Sequence, residues 1–157
     1  VKITTTSENI SAYGGLNFIS EIFNKLEFST LIESQLGTRP LQSKLSYSDV
    51  IKNLWMLFLA GGDCAEDIQE HLKSDFLQIP NLKVCSPDTI GNVLKNLAQS
   101  KEVHISNSGI EHQFSTHKKL NALNLDMLLK TRVLEVNKYY DLDHQFIPCE
   151  KYDSKKS

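Results

Sequence analysis

Apolar residues recur at helical spacing through most of the chain. After Gly14-Gly15, the positions Leu16, Ile19, Ile22, Phe23 and Leu26 predict a first helix. Phe28, Leu31, Ile32 and Leu36 predict a short second one, closed by Gly37 as a residue free to turn left-handed. Arg39-Pro40 breaks the pattern. Ser46 then opens a third helix with Val50, Ile51, Leu54, Trp55 and Phe58. It is nearly apolar all round toward its end, which suits the centre of a bundle. Gly61-Gly62 ends it, and Asp63 with Glu66 gives a capping-box-like start to a fourth helix burying Ala65, Ile68 and Leu72.

The clearest helix start is Ser86-Pro87-Asp88-Thr89: an N-cap, a proline at the first helical position, and an acid at the positive end of the dipole. Ile90, Val93, Leu94 and Leu97 complete its apolar stripe. Ser108 with Glu111 predicts a further helix through Phe114, Leu120, Leu123 and Met127 to about Lys130. The β-branched start, residues 1–6, fits a short strand or a disordered end equally. The pattern changes at Tyr139-Tyr140-Asp141-Leu142-Asp143-His144-Gln145-Phe146-Ile147, an extended run in which Asp141 and Asp143 share one face of a strand. The expectation is a mainly α chain, about six helices followed by the start of a sheet.

Composition narrows the picture slightly. The 157 residues, 40% hydrophobic and 23% charged, suffice for one domain or a little more with a real core. A net charge of −2 supplies no basic footprint of the kind an autonomous nucleic-acid binder carries. Cys64, Cys85 and Cys149 include no CxxC pair, which points to a reducing, cytoplasmic setting without a disulfide framework. The five histidines (His71, His104, His112, His117, His144) have no cysteine pair beside them and read as ordinary surface or core residues. The N-terminal residues have no signal-peptide core. The most apolar run, Leu54 to Ala60, is too short to span a bilayer, so no membrane association is expected. The absent initiator Met and the abrupt lysine-rich end suggest a piece of a longer protein.

Two helical segments invite a nucleic-acid reading. Residues 46–60 and 63–73 have the length of a helix-turn-helix, but the second carries Asp63, Glu66, Asp67 and Glu70 against Lys73, and phosphates would repel it. That pair is expected to be a packed αα-hairpin. The helix after Ser86 is the better candidate, since Thr89, Asn92, Lys95, Asn96 and Gln99 can contact phosphates and base edges. A solvated face would have the same composition. Lys118, Lys119, Lys151, Lys155 and Lys156 are further phosphate-contact candidates, equally compatible with solubilising charge.

Leu59-Ala60-Gly61-Gly62-Asp63, Glu66-Asp67-Ile68 with Leu72, and Ser86-Pro87-Asp88-Thr89-Ile90-Gly91-Asn92-Val93-Leu94 occur in an order and spacing that resembles a known family. The chain is similar to the N-terminal part of bacterial insertion-sequence transposases of the DDE class, the group-1 DDE transposase domain family. Tyr13-Gly14-Gly15-Leu16 fits the same pattern, and the late strand matches the family's aliphatic-Asp-aliphatic-Asp run.

The resemblance implies a helical DNA-binding and assembly region, about residues 1–135, leading into the first strands of a truncated RNase H-like α/β domain over 136–157. In that family three acidic residues bind two divalent ions, usually Mg²⁺, for strand cleavage and transfer. By position the first ligand falls on Asp143, with Asp141 second. His144-Gln145 follows directly, a compressed version of the family strand, and the chain stops before the second and third acidic residues. The implied parent function is DNA transposition acting on insertion-sequence ends, with this chain inactive alone and at most binding DNA or forming a homodimer. Two other classes stay open: a non-catalytic helical DNA-binding regulator, and a protein-interaction or dimerisation module.

Overall fold

The computed structural model describes residues 11–98, 101–105, 107–115 and 118–140; within the two strands, side chains are described at Val103, Ile105 and Glu111. The chain divides into two compact units, residues 1–97 and 98–157. The described part is mainly helical, as the apolar periodicity requires.

In the first unit α1 (Leu16–Lys25) and α2 (Phe28–Leu36) are separated by a tight turn, with Glu27 in the left-handed region at φ 51°. Buried Leu16, Ser20 and Phe23 define the inner face of α1, and Phe28, Ile32 and Leu36 that of α2. Gly37, at φ 85°, closes α2 as expected. The central element is α3 (Tyr47–Leu59), which packs on α1, α2 and the later α5. Ser46 and Asp49 form a reciprocal capping box at its start. Phe23, Phe28 and Trp55 meet edge to face, with ring centroids 5.4 to 5.8 Å apart, and join the three helices into one core. Phe58 departs from its expected core position. It is exposed, together with Leu59, while the preceding Met56 and Leu57 are buried, so the pair lies on the uncovered side of α3.

The expected fourth helix forms differently. Residues 63–66 stay irregular, Ile68–Leu72 makes a π-helical turn, and α4 (Lys73–Phe76) is one short α-turn. No side chain among the described residues caps this segment; Asp67, at its start, reaches back to the preceding loop, and neither Asp63 nor Glu66 takes the expected capping role. The Asp67 carboxylate accepts the backbone N–H of Asp63 at 2.8 Å and of Cys64 at 3.2 Å. Ile68, Leu72, Phe76, Ile79 and Leu82 carry the segment along the core to α5 (Pro87–Leu97). There the reading holds closely: Ser86 caps, Pro87 starts the helix, and Ile90, Val93 and Leu97 are buried, with Leu94 of the expected stripe half-buried.

In the second unit the helix expected from Ser108 begins later. Lys101–Ile105 (β1) and Glu111–Ser115 (β2) pair antiparallel, and α6 runs from Lys118 to Lys130. Gly109 at φ 77° turns the chain between the strands, so the Ser108–Glu111 spacing serves a hairpin turn and not a helix cap. Leu123 and Met127 are the buried residues of α6. The extended run from Asp141 onward lies outside the described residues, and with it the expected RNase H-like strands. No helix among the described residues is long and apolar enough to cross a membrane.

Candidate nucleic-acid interface

The N-terminus of α5 is held by a side chain from α3. Asn53 has no solvent exposure, and its amide nitrogen donates to the carbonyls of Asp49 and Lys83, each at 2.8 Å. Its amide oxygen accepts the backbone N–H of Cys85 at 3.0 Å. The residues leading into the Ser86 cap are thereby fixed to the central helix. Lys83 adds an ion pair to Asp49 at 3.2 Å, and Asp49 is itself part of the α3 capping box. Burial pushes the neighbouring Cys85 thiol up to about 12, with the Asp49 charge acting in the same direction.

This anchoring determines what α5 presents. Asn92, Lys95 and Asn96 are exposed and lie at i, i+3 and i+4, on one face. Thr89 is different from the other three. It is half-buried, and its hydroxyl lies 2.9 Å from the Ser86 hydroxyl while its N–H donates to that same oxygen at 3.3 Å. Thr89 therefore belongs to the helix cap. Asp88 is exposed one turn before Asn92, so the face carries one acid beside its donors. Two carboxamides and an ammonium can hydrogen-bond base edges and phosphates.

No family model, curated protein or solved structure matches this chain.

Asp141 and Asp143 lie outside the described residues, so their geometry as Mg²⁺ ligands has no structural counterpart here. Among the described residues there is no group of three or more His, Cys, Asp or Glu side chains that could hold a metal ion.

A second concave site joins segments far apart in sequence. Tyr13, Ala60, Gly61, Gly62, Asp67, His71 and Leu72 surround a cavity of about 230 Å³. Tyr13 also borders a smaller one with Ser11, Asn17, Asp75 and Gln78. The N-terminal Tyr13-Gly14 piece is held there by Ser11, whose hydroxyl donates to Asp75 at 2.5 Å. The two glycine-containing sequence pieces, around Gly14 and Gly61, are thus neighbours in the fold. Asp67 is engaged by backbone N–H groups, first that of Asp63 and then that of Cys64, and these hold its carboxyl below the usual range. A carboxylate committed to two amides is a structural anchor and not a free general base. Sequence spacing gave no sign that Tyr13 and His71 line one cavity, because they lie 58 positions apart in the chain.

Proposed function

We propose that residues 1–135 form the DNA-binding and assembly region of a DDE-class insertion-sequence transposase, leading into the first strands of an RNase H-like domain over 136–157, with α5 as the helix that meets DNA. The observation that carries the reading is the exposed Asn92, Lys95 and Asn96 face on a helix whose start is fixed to the core by Asn53. The resemblance of Ser86 to Leu94 and of Leu59 to Asp63 to that family supports it. Asp143, with Asp141, would supply the first carboxylates toward Mg²⁺ on the late strand. A single acidic strand leaves most of an oxygen-ligand shell unfilled, so residues 1–157 bind DNA without cutting it.

Fluorescence anisotropy with labelled duplexes of about 30 base pairs, drawn from the DNA flanking the gene, tests the DNA contact across a salt series. Lys95→Ala is expected to weaken binding across all sequences and to lower the salt slope by about 1. Asn92→Ala and Asn96→Ala are expected to reduce discrimination between duplexes. Binding that is unchanged in all three variants, or absent at low salt, overturns the role of α5. Mg²⁺-dependent nicking that disappears in Asp143→Ala would overturn the inactivity of the chain.

One observation favours a second reading, a self-association module. Phe18 is 69% exposed and Ile22 48% exposed, one turn apart on the outer face of α1. Sedimentation velocity separates the two: a dimer dissociated by Phe18→Ser, without salt-dependent DNA affinity, would favour association as the main role.

A further inference from the structure

The side of α1 turned away from the core carries Phe18, Glu21, Ile22 and Lys25, all exposed, while Leu16, Ser20 and Phe23 face inward. At about 100° of rotation per residue, Phe18 and Lys25 run down the middle of this outer face. Ile22 lies on one flank and Glu21 on the other. The apolar flank continues through Ile19 and Leu26, which are half-buried. Glu21 and Lys25 stand at i and i+4, yet among the described residues neither has an ion-pair partner. The face is thus apolar at Phe18 and Ile22, with an acid and a base of opposite sign beside them, the composition of a docking surface with a polar rim.

The charge pattern of this face is complementary to itself. When two α1 helices pack antiparallel about a two-fold axis, each flank meets the same flank of the other helix. With the axis near Glu21 and Ile22, Phe18 comes within one turn of the partner's Ile22, about 4.5 Å along the helix. Glu21 comes equally close to the partner's Lys25, and both contacts occur twice by symmetry. A parallel pair would instead set like charges at the same height, Glu21 with Glu21 and Lys25 with Lys25. We propose that the outer face of α1 is a homodimer interface in which two copies pack antiparallel, Phe18 and Ile22 forming its apolar centre and Glu21 pairing with Lys25 of the partner subunit at both ends. This rests on the self-association reading and adds to it the orientation and the charge pairs that select it. The 10 residues of α1 span about 15 Å, so the contact is at the small end of interface sizes and the dimer dissociates on the order of 10 μM.

The test is sedimentation velocity of the full chain and its charge variants from about 2 to about 200 μM, a range that brackets the expected constant. The wild type should pass from monomer to dimer across it. Glu21→Lys and Lys25→Glu should each weaken the dimer by about tenfold, because each sets like charges together at both ends of the contact. Glu21→Lys combined with Lys25→Glu in one chain reverses both signs and should restore the wild-type constant to within about threefold. Mixing equal amounts of the two single variants should give a heterodimer, since one chain then offers two bases and the other two acids. Recovery in the mixture also shows that neither variant has lost its fold. A wild type that stays monomeric at about 200 μM overturns the proposal together with the self-association reading. A wild-type dimer whose affinity is unchanged in both single variants overturns the antiparallel pairing alone, since the contact then lies on another surface.

Discussion

Asn53 and Cys85 show how much of the first unit depends on single side chains. Asn53 is a fully buried amide with three hydrogen bonds, two of them to the segment that precedes α5. Asn53→Ala leaves the Cys85 N–H and the Lys83 carbonyl without their partner, and unfolding in urea should show a loss of about 3 kcal/mol. In the same variant Lys95 should bind DNA less well, because the start of α5 loses its anchor. Cys85 makes a prediction in pH. Its folded thiol titrates at about 12 against an ordinary value of 9.0, because burial disfavours the thiolate and the Asp49 charge adds to the effect. The unfolded chain therefore loses this proton first as pH rises. The contribution to stability is constant below pH 9.0 and falls between there and about 12. At pH 10 the stability difference between wild type and Cys85→Ala should be about 1 kcal/mol smaller than at pH 7, measured by urea unfolding. Neither role was legible in the sequence. Asn53 reads as one polar residue in an apolar helix, and its loop partners lie 30 and 32 residues away.

At the scale of elements, local chemistry carried the reading where both partners are close in sequence. Ser46, and Ser86 with Pro87, start the helices they were expected to start, and Asp49, three residues after Ser46, completes a capping box that was not anticipated. The failures share a cause, a capping pattern taken by a different structure. Ser108 and Glu111 flank a left-handed Gly109 and serve a hairpin, while Asp67 reaches back over the turn assigned to Asp63 and Glu66. The end of α3 was anticipated at Gly61-Gly62, and its geometry separates the two glycines. The N–H of Gly62 donates to Leu57 O and that of Gly61 to Phe58 O, each at 3.0 Å, the paired bonds of a Schellman closure. Gly61 needs its freedom of backbone, at φ 83°, and has open space around it. Gly62 needs its missing side chain, since a Cβ there would overlap Leu57 Cδ1 and crowd Asp67 Oδ2 at 3.3 Å. Gly61→Ala should cost about 1 kcal/mol. Gly62→Ala should cost about 2 kcal/mol, because Leu57 is buried and cannot swing aside. Thermal unfolding of the two variants side by side tests the order; Gly61→Ala as the more damaging would show that backbone strain and not the Leu57 contact dominates.

At the scale of the whole molecule, the mainly helical class was legible because apolar periodicity is a property of the chain itself. The division into two units was not, because it depends on which buried residues find partners across long stretches of sequence. The first unit concentrates its large buried side chains, among them Phe23, Phe28, Ile32, Met56, Leu57 and Phe76, around α3. Leu123 and Met127 are the buried apolar side chains among the described residues of the second. Buried apolar area is the principal resistance to local opening, so the two units should not open together. Hydrogen exchange followed residue by residue should find the amides of Val50 to Leu57 and of Val93 to Leu97 opening only with global unfolding. Protection in β1, β2 and α6 should be lower by on the order of 100-fold. Equal protection throughout the chain would mean that both units unfold as one cooperative body.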